Sequence, residues 1–448
     1  MLRDKYEFDP AFWAIIEQQA LKMDPELAAI DRILEDEHLY HLIKADLAKH
    51  RPKTLLTGRN STPVEVIIRL LAVKRLYRFS YAETIQHVRD SLILRWFCRI
   101  YFEPVFDHTN LNRWALLIQP ATLHAFNDRL TTIATQLKVT RGRKLRTDGT
   151  VVETAIHYPT DSSLLADGVR VLSRTLKRAK ELVSQTADVP PSLFRDRTRS
   201  ARQQARRIVN GARHKSATAK AGLKRTYQRL IGIAQASVQQ ARTVLPLLES
   251  QANQAAQKVA ATLMTFIPRV EQTLDQTVRR VIDGEMVPAA QKIVSLFEPH
   301  TDIIRRQKAG KETEFGHKVW LDEVEGGIIS RWQVLQGNPD DAKQWRPALD
   351  HHRTQFGKPP LQASGDRALY SPDNEAYAKR QGLNTPFCPS RVANLTPVAS
   401  TKPNPGSNEV DASTPELKAG LASLSANTNW ASAATTAKIT SISGSAGA

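Results

Sequence analysis

The sequence predicts an α/β protein. An all-helical N-terminal region precedes a strand-bearing core, and a long helical insertion interrupts that core. Three observations carry the prediction. Apolar residues recur every three or four positions to about residue 138 and again from about 169 to 311. Between these zones, Val139-Thr-Arg-Gly-Arg-Lys-Leu-Arg-Thr-Asp-Gly-Thr-Val-Val-Glu-Thr is rich in β-branched residues and lacks helical spacing. From 312 onward, strand signals alternate with a helix signal.

Taken in order, Glu17, Leu21 and Met23 fall in a first amphipathic stretch, and Asp31 to Glu37 opens a second helix. Ser61-Thr62-Pro63 reads as a helix start, a hydroxyl cap followed by proline at the first helical position. Val66, Ile67, Leu70, Leu71 and Val73 give that helix an apolar face. Arg78-Phe79-Ser80 ends it, and Ser80 with Glu83 forms a capping box for the next helix. Asp107-His108-Thr109 starts another, which runs into Arg113-Trp114. Residues 139–168 hold the first strand, and 169–311 form the helical insertion. Lys318 to Leu321 and Gly327 to Leu335 pair as a hairpin across Glu325-Gly326-Gly327. Asp340 to Phe356 is a helix entered through the Asn338-Pro339-Asp340 turn, and Pro360 to Ser364 is a short extended run delivering Gly365-Asp366. The predicted domains are therefore 1–138, then 139–168 with 312–390, with 169–311 between them. Residues 391–448, polar and of low complexity with Trp430 as their one aromatic, read as a disordered tail.

Of 448 residues, 41% are hydrophobic and 24% charged, which supplies a core and excludes wholesale disorder. Lys and Arg number 63 against 45 Asp and Glu, a net charge of +18. That excess favours a polyanionic partner, because cations that neutralise phosphates release condensed counterions. Two cysteines, Cys98 and Cys388, exclude a disulfide framework and a cysteine-built zinc site. No apolar run approaches the ~18 residues of a membrane span, and the first residues lack a secretory core. The expectation is a cytoplasmic, nucleoid-associated protein with no membrane role.

Two basic zones are candidates for the polyanion. The short helices around Arg69, Lys74, Arg75 and Arg113 suit a helix–turn–helix, whose second helix enters the major groove. The bland reading is a helical bundle with a solvated basic face. The second zone crowds Arg202, Arg206, Arg207 and Arg213 among further arginines and lysines from Arg195 to Arg229. Charge this dense suits a phosphate backbone, or equally a solvated helix face.

Asp148 and Asp366 are each placed at a strand end beside a glycine. Two aspartates on adjacent strands are what a phosphoryl-transfer site with Mg²⁺ requires, although turn aspartates look the same in isolation. Their setting adds a resemblance. Arg89-Asp-Ser-Leu-Ile-Leu-Arg-Trp-Phe and the stretch Pro104 to Trp114 resemble the N-terminal domain of one group of DDE insertion-sequence transposases. Thr147-Asp-Gly-Thr-Val-Val-Glu-Thr and Gly365-Asp-Arg-Ala-Leu-Tyr-Ser-Pro-Asp-Asn-Glu resemble the strand ends of their RNase H-like core. The resemblance covers most of 50–168 and 312–387. It implies that Asp148 and Asp366 are catalytic and hold two Mg²⁺ ions, with Mn²⁺ as a substitute. It further implies double-stranded DNA as partner, both transposon ends and target, and a homodimer or higher oligomer on that DNA. The insertion would contact transposon-end DNA or a second subunit. Glu153, Asp161 and Asp167, close in sequence to Asp148, rank as structural.

The family's third carboxylate, a glutamate in a run similar to Ala-Gly-Ile-Glu-Gly-Arg, is not found. Glu375 follows Asp366 too closely, and Glu409 and Glu416 lie in the polar tail. Read one base earlier from about Phe387, the codons of Pro415 to Ala434 permit Ala-Gly-Ile-Glu-Gly-Arg-Leu-Ser-Val-Phe-Lys-Arg-Lys-His-Lys-Leu-Gly-Gln-Cys-Arg, with the glutamate drawn from the two adenines of the Lys418 codon. The sequence thus predicts an impaired transposase with an out-of-frame tail. The alternative is a non-catalytic DNA-binding or regulatory protein derived from one.

Overall fold

A computed structural model describes residues 22–50, 52–57, 61–183, 190–214, 216–308 and 311–383. Glu17, Leu21, Cys388 and the polar tail with its alternative frame lie outside the described residues. The chain forms two compact units, one drawn from 1–152, 318–335 and 339–448 and the other from 153–317 and 336–338.

The first unit opens with α1 (Pro25–Ile33), whose free backbone N–H groups are met by the Asp24 carboxylate. Asp31 therefore lies near the end of a helix, not at the start of one, and α2 (Glu37–His50) begins after it. Then come α3 (Val64–Leu76), α4 (Tyr81–Asp90), α5 (Leu92–Phe97), α6 (His108–Leu117) and α7 (Pro120–Gln136). The capping box forms as expected: Glu83 N–H donates to Ser80 Oγ at 3.2 Å, and Ser80 N–H donates to Glu83 Oε2 at 2.7 Å. Asp107 likewise caps α6. The start of α3 differs. Pro63 itself occupies the cap position and, being proline, supplies no side-chain cap hydrogen bond.

Three helices end on a basic residue in the left-handed region: Arg78 (φ 58), Arg99 (φ 57) and Lys138 (φ 58). At α3 the Arg78 N–H reaches the Arg75 carbonyl at 3.3 Å and the Phe79 N–H reaches the Lys74 carbonyl at 3.0 Å, a Schellman ending. Glycine normally takes this position. A cation there gains instead from the negative end of the helix dipole, which offsets part of the backbone cost.

The strands are β1 (Lys144–Glu153), β2 (Asp302–Lys308), β3 (Lys311–Val324), β4 (Ile328–Val334) and β5 (Gln362–Gly365). They form one mixed sheet in the order β2-β3-β1-β5, with β4 also paired to β3. β3 and β4 are the expected antiparallel hairpin, turning at Gly326 (φ 84) and Gly327 (φ 74), a backbone that only glycine adopts without cost at both positions. α12 (Trp345–Phe356) follows a single turn capped by Asp340, and α13 (Pro372–Arg380) follows β5. Leu145, Trp320, Trp332, Trp345, Leu349 and Ala363 join the apolar faces of α1–α7 in one hydrophobic core.

The second unit is helical for most of its length: α8 (Asp161–Val183), α9 (Thr198–Gly211), α10 (Ala217–Glu249) and α11 (Gln254–Thr277). Its own core runs through Leu165, Leu172, Leu230, Val238, Leu263 and Val270. α8 starts eight residues before the expected boundary of 169. The reason is a reciprocal cap in which Thr160 N–H donates to Ser163 Oγ at 3.1 Å and Ser163 N–H donates to Thr160 Oγ1 at 3.2 Å. The helical zone also stops earlier than expected, because 302–308 is β2. No described helix is long and apolar enough to cross a membrane.

Candidate active site and basic surfaces

β1 and β5 run parallel in a register that pairs Lys144 with Gln362, Leu145 with Ala363, Arg146 with Ser364 and Thr147 with Gly365. The next residues are Asp148, which lies within β1 and not at its end as expected because the strand runs on to Glu153, and Asp366, the first residue past β5. Both aspartates are exposed, and both lie on the outward face, since Leu145, Thr147 and Gly149 of β1 and Ala363 of β5 are buried. Gly149 N–H donates to Asp148 Oδ1 at 2.7 Å, and Arg367 N–H donates to Asp366 Oδ1 at 2.5 Å. Each carboxylate is thereby fixed through one oxygen while the other stays open for a ligand.

The glycines beside them are required by space. A Cβ on Gly365 would lie 2.1 Å from Leu369 Cδ1 and 3.0 Å from the Thr147 carbonyl oxygen, so Leu369 would have to turn aside and the β1 backbone give by a few tenths of an ångström. At Gly149 it would meet Trp320 at 3.0 Å.

The buried side of this site holds a group that sequence reasoning missed. Asp322, 1% exposed, accepts Thr147 Oγ1–H at 2.6 Å and Trp320 Nε1–H at 3.1 Å, and pairs with Arg331 at 3.1 Å. Burial pushes its carboxyl up, against the pull of the Arg331 guanidinium. One buried acid thus holds Thr147 before Asp148 and the indole that covers Gly149 after it. Its signal in the sequence was weak, since it follows the apolar run Val319-Trp320-Leu321 but is the first of three acids with Glu323 and Glu325.

The basic residues divide. Arg69 is 0% exposed and belongs to the interior. Its Nε donates to Glu65 Oε1 at 3.0 Å, its Nη1 pairs with Asp31 and donates to the Phe97 carbonyl at 3.1 Å, and Arg99 pairs with Asp31 at 2.9 Å. Burial alone would lower the Arg69 pKa, but the Asp31 carboxylate beside it raises it overall. This network removes Arg69 from any surface that DNA could touch and corrects its expected role. Lys74 and Arg75 are half-buried, Lys74 with its ammonium 4.6 Å above the Tyr81 ring. Arg113 on α6 is exposed. On the second unit Arg202, Arg206, Arg207 and Arg213 are all exposed, and the chain carries no Asp or Glu from Arg197 to Leu248. Asp161 pairs with Arg280 and accepts from Gln276 Nε2 at 3.4 Å, and Asp167 pairs with Arg170 at 2.9 Å. Cys98 is buried and free, its thiol pushed well above the usual range by burial.

The helices α1 to α6 with their basic flanks, ending near Ala115, are the part of the chain that comparison recognises. Residues 16–115 match the transposase domain DUF772. No curated protein and no solved structure matches the chain. The matched segment is thus helical where it is described, and the mixed sheet that holds Asp148 and ends beside Asp366 follows it. Among the described residues no group of three His, Cys, Asp or Glu side chains is arranged to hold a metal ion.

Proposed function

We propose that this chain is a DDE-type transposase of an insertion sequence, impaired in catalysis, with an RNase H-like core made by β4-β3-β1-β5. The observation that supports the reading is the β1–β5 register, whose last pair, Thr147 with Gly365, immediately precedes the exposed Asp148 and Asp366 in a chain whose residues 16–115 match a transposase domain. Exposed carboxylates with one uncommitted oxygen each fit Mg²⁺, which is usually held by one or two carboxylates together with waters and substrate phosphates. The donor set falls short of a firm site for two ions, since no third acidic ligand joins the pair among the described residues. When bound, Mg²⁺ there supplies charge to the phosphoryl oxygens and lowers the pKa of an attacking water.

The reaction class is in-line displacement at a phosphodiester, first by water and then by the freed 3′-hydroxyl on target DNA. Asp148 and Asp366 orient the cation. Thr147, Asp322 and Trp320 keep Asp148 in place, and Gly365 keeps the strands at pairing distance. Arg113 and the exposed arginines of α9 engage double-stranded DNA at the element's ends, with a homodimer or higher oligomer assembled on it.

The test is cleavage of labelled terminal-repeat duplex with Mg²⁺. This chain should bind and cut weakly; robust cutting would overturn the impairment. In a version whose tail is returned to the frame that carries the late glutamate, Asp148→Asn and Asp366→Asn should each abolish cutting. Unchanged cutting there would refute the carboxylate assignment. A second reading, a DNA-binding regulator in which Asp148 and Asp366 are ordinary polar residues, predicts no cutting even in the restored frame.

A further inference from the structure

We propose that the outward face of β1 and β5 is a track for one phosphate backbone. On it Lys144 and Arg146 hold successive phosphates and deliver the next phosphodiester to Asp148 and Asp366. The inference rests on the carboxylate reading above and adds the residues that orient the substrate.

The geometry is set by strand periodicity. Lys144, Arg146 and Asp148 are all exposed on one face of β1, and Gln362, Ser364 and Asp366 are exposed beside them on β5. The paired rows therefore run cation with amide and cation with hydroxyl, and an acid follows in each segment, Asp148 within β1 and Asp366 just past β5. Successive rows lie roughly 6.7 Å apart, two residues along a strand, a spacing comparable with that of neighbouring phosphates in a nucleic acid strand. Every side chain in the first two rows can donate to a phosphate oxygen, and the guanidinium of Arg146 can do so with a two-pronged fork.

A solvated sheet face could carry the same residues, but its charges would ordinarily be balanced nearby. Neighbouring cations of this unit are. Arg143 pairs with Glu325 at 3.6 Å, Lys318 pairs with Asp341, and Arg331 pairs with Asp322. Among the described residues neither Lys144 nor Arg146 has an ion-pair partner. β1 also lies between β3 and β5 in the sheet, so this is an interior strand with an uncovered polar face. Two unbalanced cations in line with two acids suit a polyanion that is attracted along the strand and meets repulsion only at the last row, where a divalent cation would relieve it.

The experiment measures binding of the full chain to a fluorescein-labelled duplex of arbitrary sequence, in EDTA, across a potassium chloride series. All variants carry Arg202→Gln and Arg206→Gln, so that the α9 surface does not mask the effect, and thermal melting checks that each is folded. Lys144→Gln with Arg146→Gln should lower the slope of log K against log salt by about 1.8, at about 0.9 per lost phosphate contact. Asp148→Asn with Asp366→Asn should tighten binding several-fold in EDTA, because repulsion at the last row is gone. Arg146→Lys keeps the charge and should preserve the slope while losing affinity, which guards against an effect of misfolding. If the Lys144/Arg146 pair leaves the slope unchanged while the aspartate pair still abolishes Mn²⁺ uptake by the protein, the track is refuted and the carboxylate reading stands. If neither pair changes DNA binding or Mn²⁺ uptake, both readings fall.

Discussion

Arg69 and Arg202 look alike in the sequence, each an arginine on an amphipathic helix among other cations, yet their surroundings are opposite. Arg69 is enclosed, with Asp31, Glu65 and the Phe97 carbonyl arranged around its guanidinium. Arg202 is exposed on α9, and no acid occurs from Arg197 to Leu248. The difference teaches that what separates an interior cation from a surface one is the acid within reach, not the density of positive charge. A buried cation demands a carboxylate partner, whereas a polyanion-binding cation offers an uncompensated charge only if no acid is nearby.

The largest effect that could break this contrast is at Arg69. Arg69→Leu leaves Asp31 and Glu65 without their central partner and should cost about 3–5 kcal/mol of stability in denaturant unfolding. The DNA affinity of the molecules still folded should not change; a stable variant with weakened binding would return Arg69 to the DNA surface.

His352 tests enclosure through a proton. It is 1% exposed against Phe356, and burial pushes its pKa down to about 4. Unfolded, it titrates near 6.5, so between those values the unfolded chain binds the proton that the native state refuses. Stability is full above about pH 6.5 and is lost as pH falls toward 4, by about 3 kcal/mol. His352→Phe should flatten that part of a stability–pH profile; an unaltered profile would show that another group is responsible.

The exposed side should respond in binding alone. Arg202→Gln with Arg206→Gln should lower the salt slope of DNA binding by about 1.8 and change stability by no more than about 0.5 kcal/mol. Arg113→Gln is the mildest, with a slope change of about 0.9.

Much of the fold was legible because its signals are local. The Ser80–Glu83 box, the Gly326–Gly327 turn and the Asp340 cap each depend on residues within a few positions, and each forms. The endings at Arg78, Arg99 and Lys138 break the preference for glycine, and no local rule marks them. β2 was lost in a zone read as helix because its pairing with β3 is decided by a strand beyond it in the chain. At the site, residue type and a neighbouring glycine pointed to Asp148 and Asp366, but not to Asp148 lying within a strand that runs on to Glu153. Asp322 was not legible, because its role comes from Thr147, 175 residues away.

One hydrogen bond in the second unit bears on how such a chain could be remade. Thr154 N–H donates to the Phe315 carbonyl at 3.0 Å, so the peptide leaving β1 is tied to the peptide entering the rest of β3. The whole stretch between them is closed at its neck, in the manner of an ornament hung from a clasp. Its helices α8–α11 all precede β2, so shortening them leaves every strand in place, and the cost of closing so long an excursion rises only with the logarithm of its length. A lineage could therefore gain, trade or shed the helices α8–α11 while keeping β2, β3 and β1, the strands that build the sheet presenting Asp148.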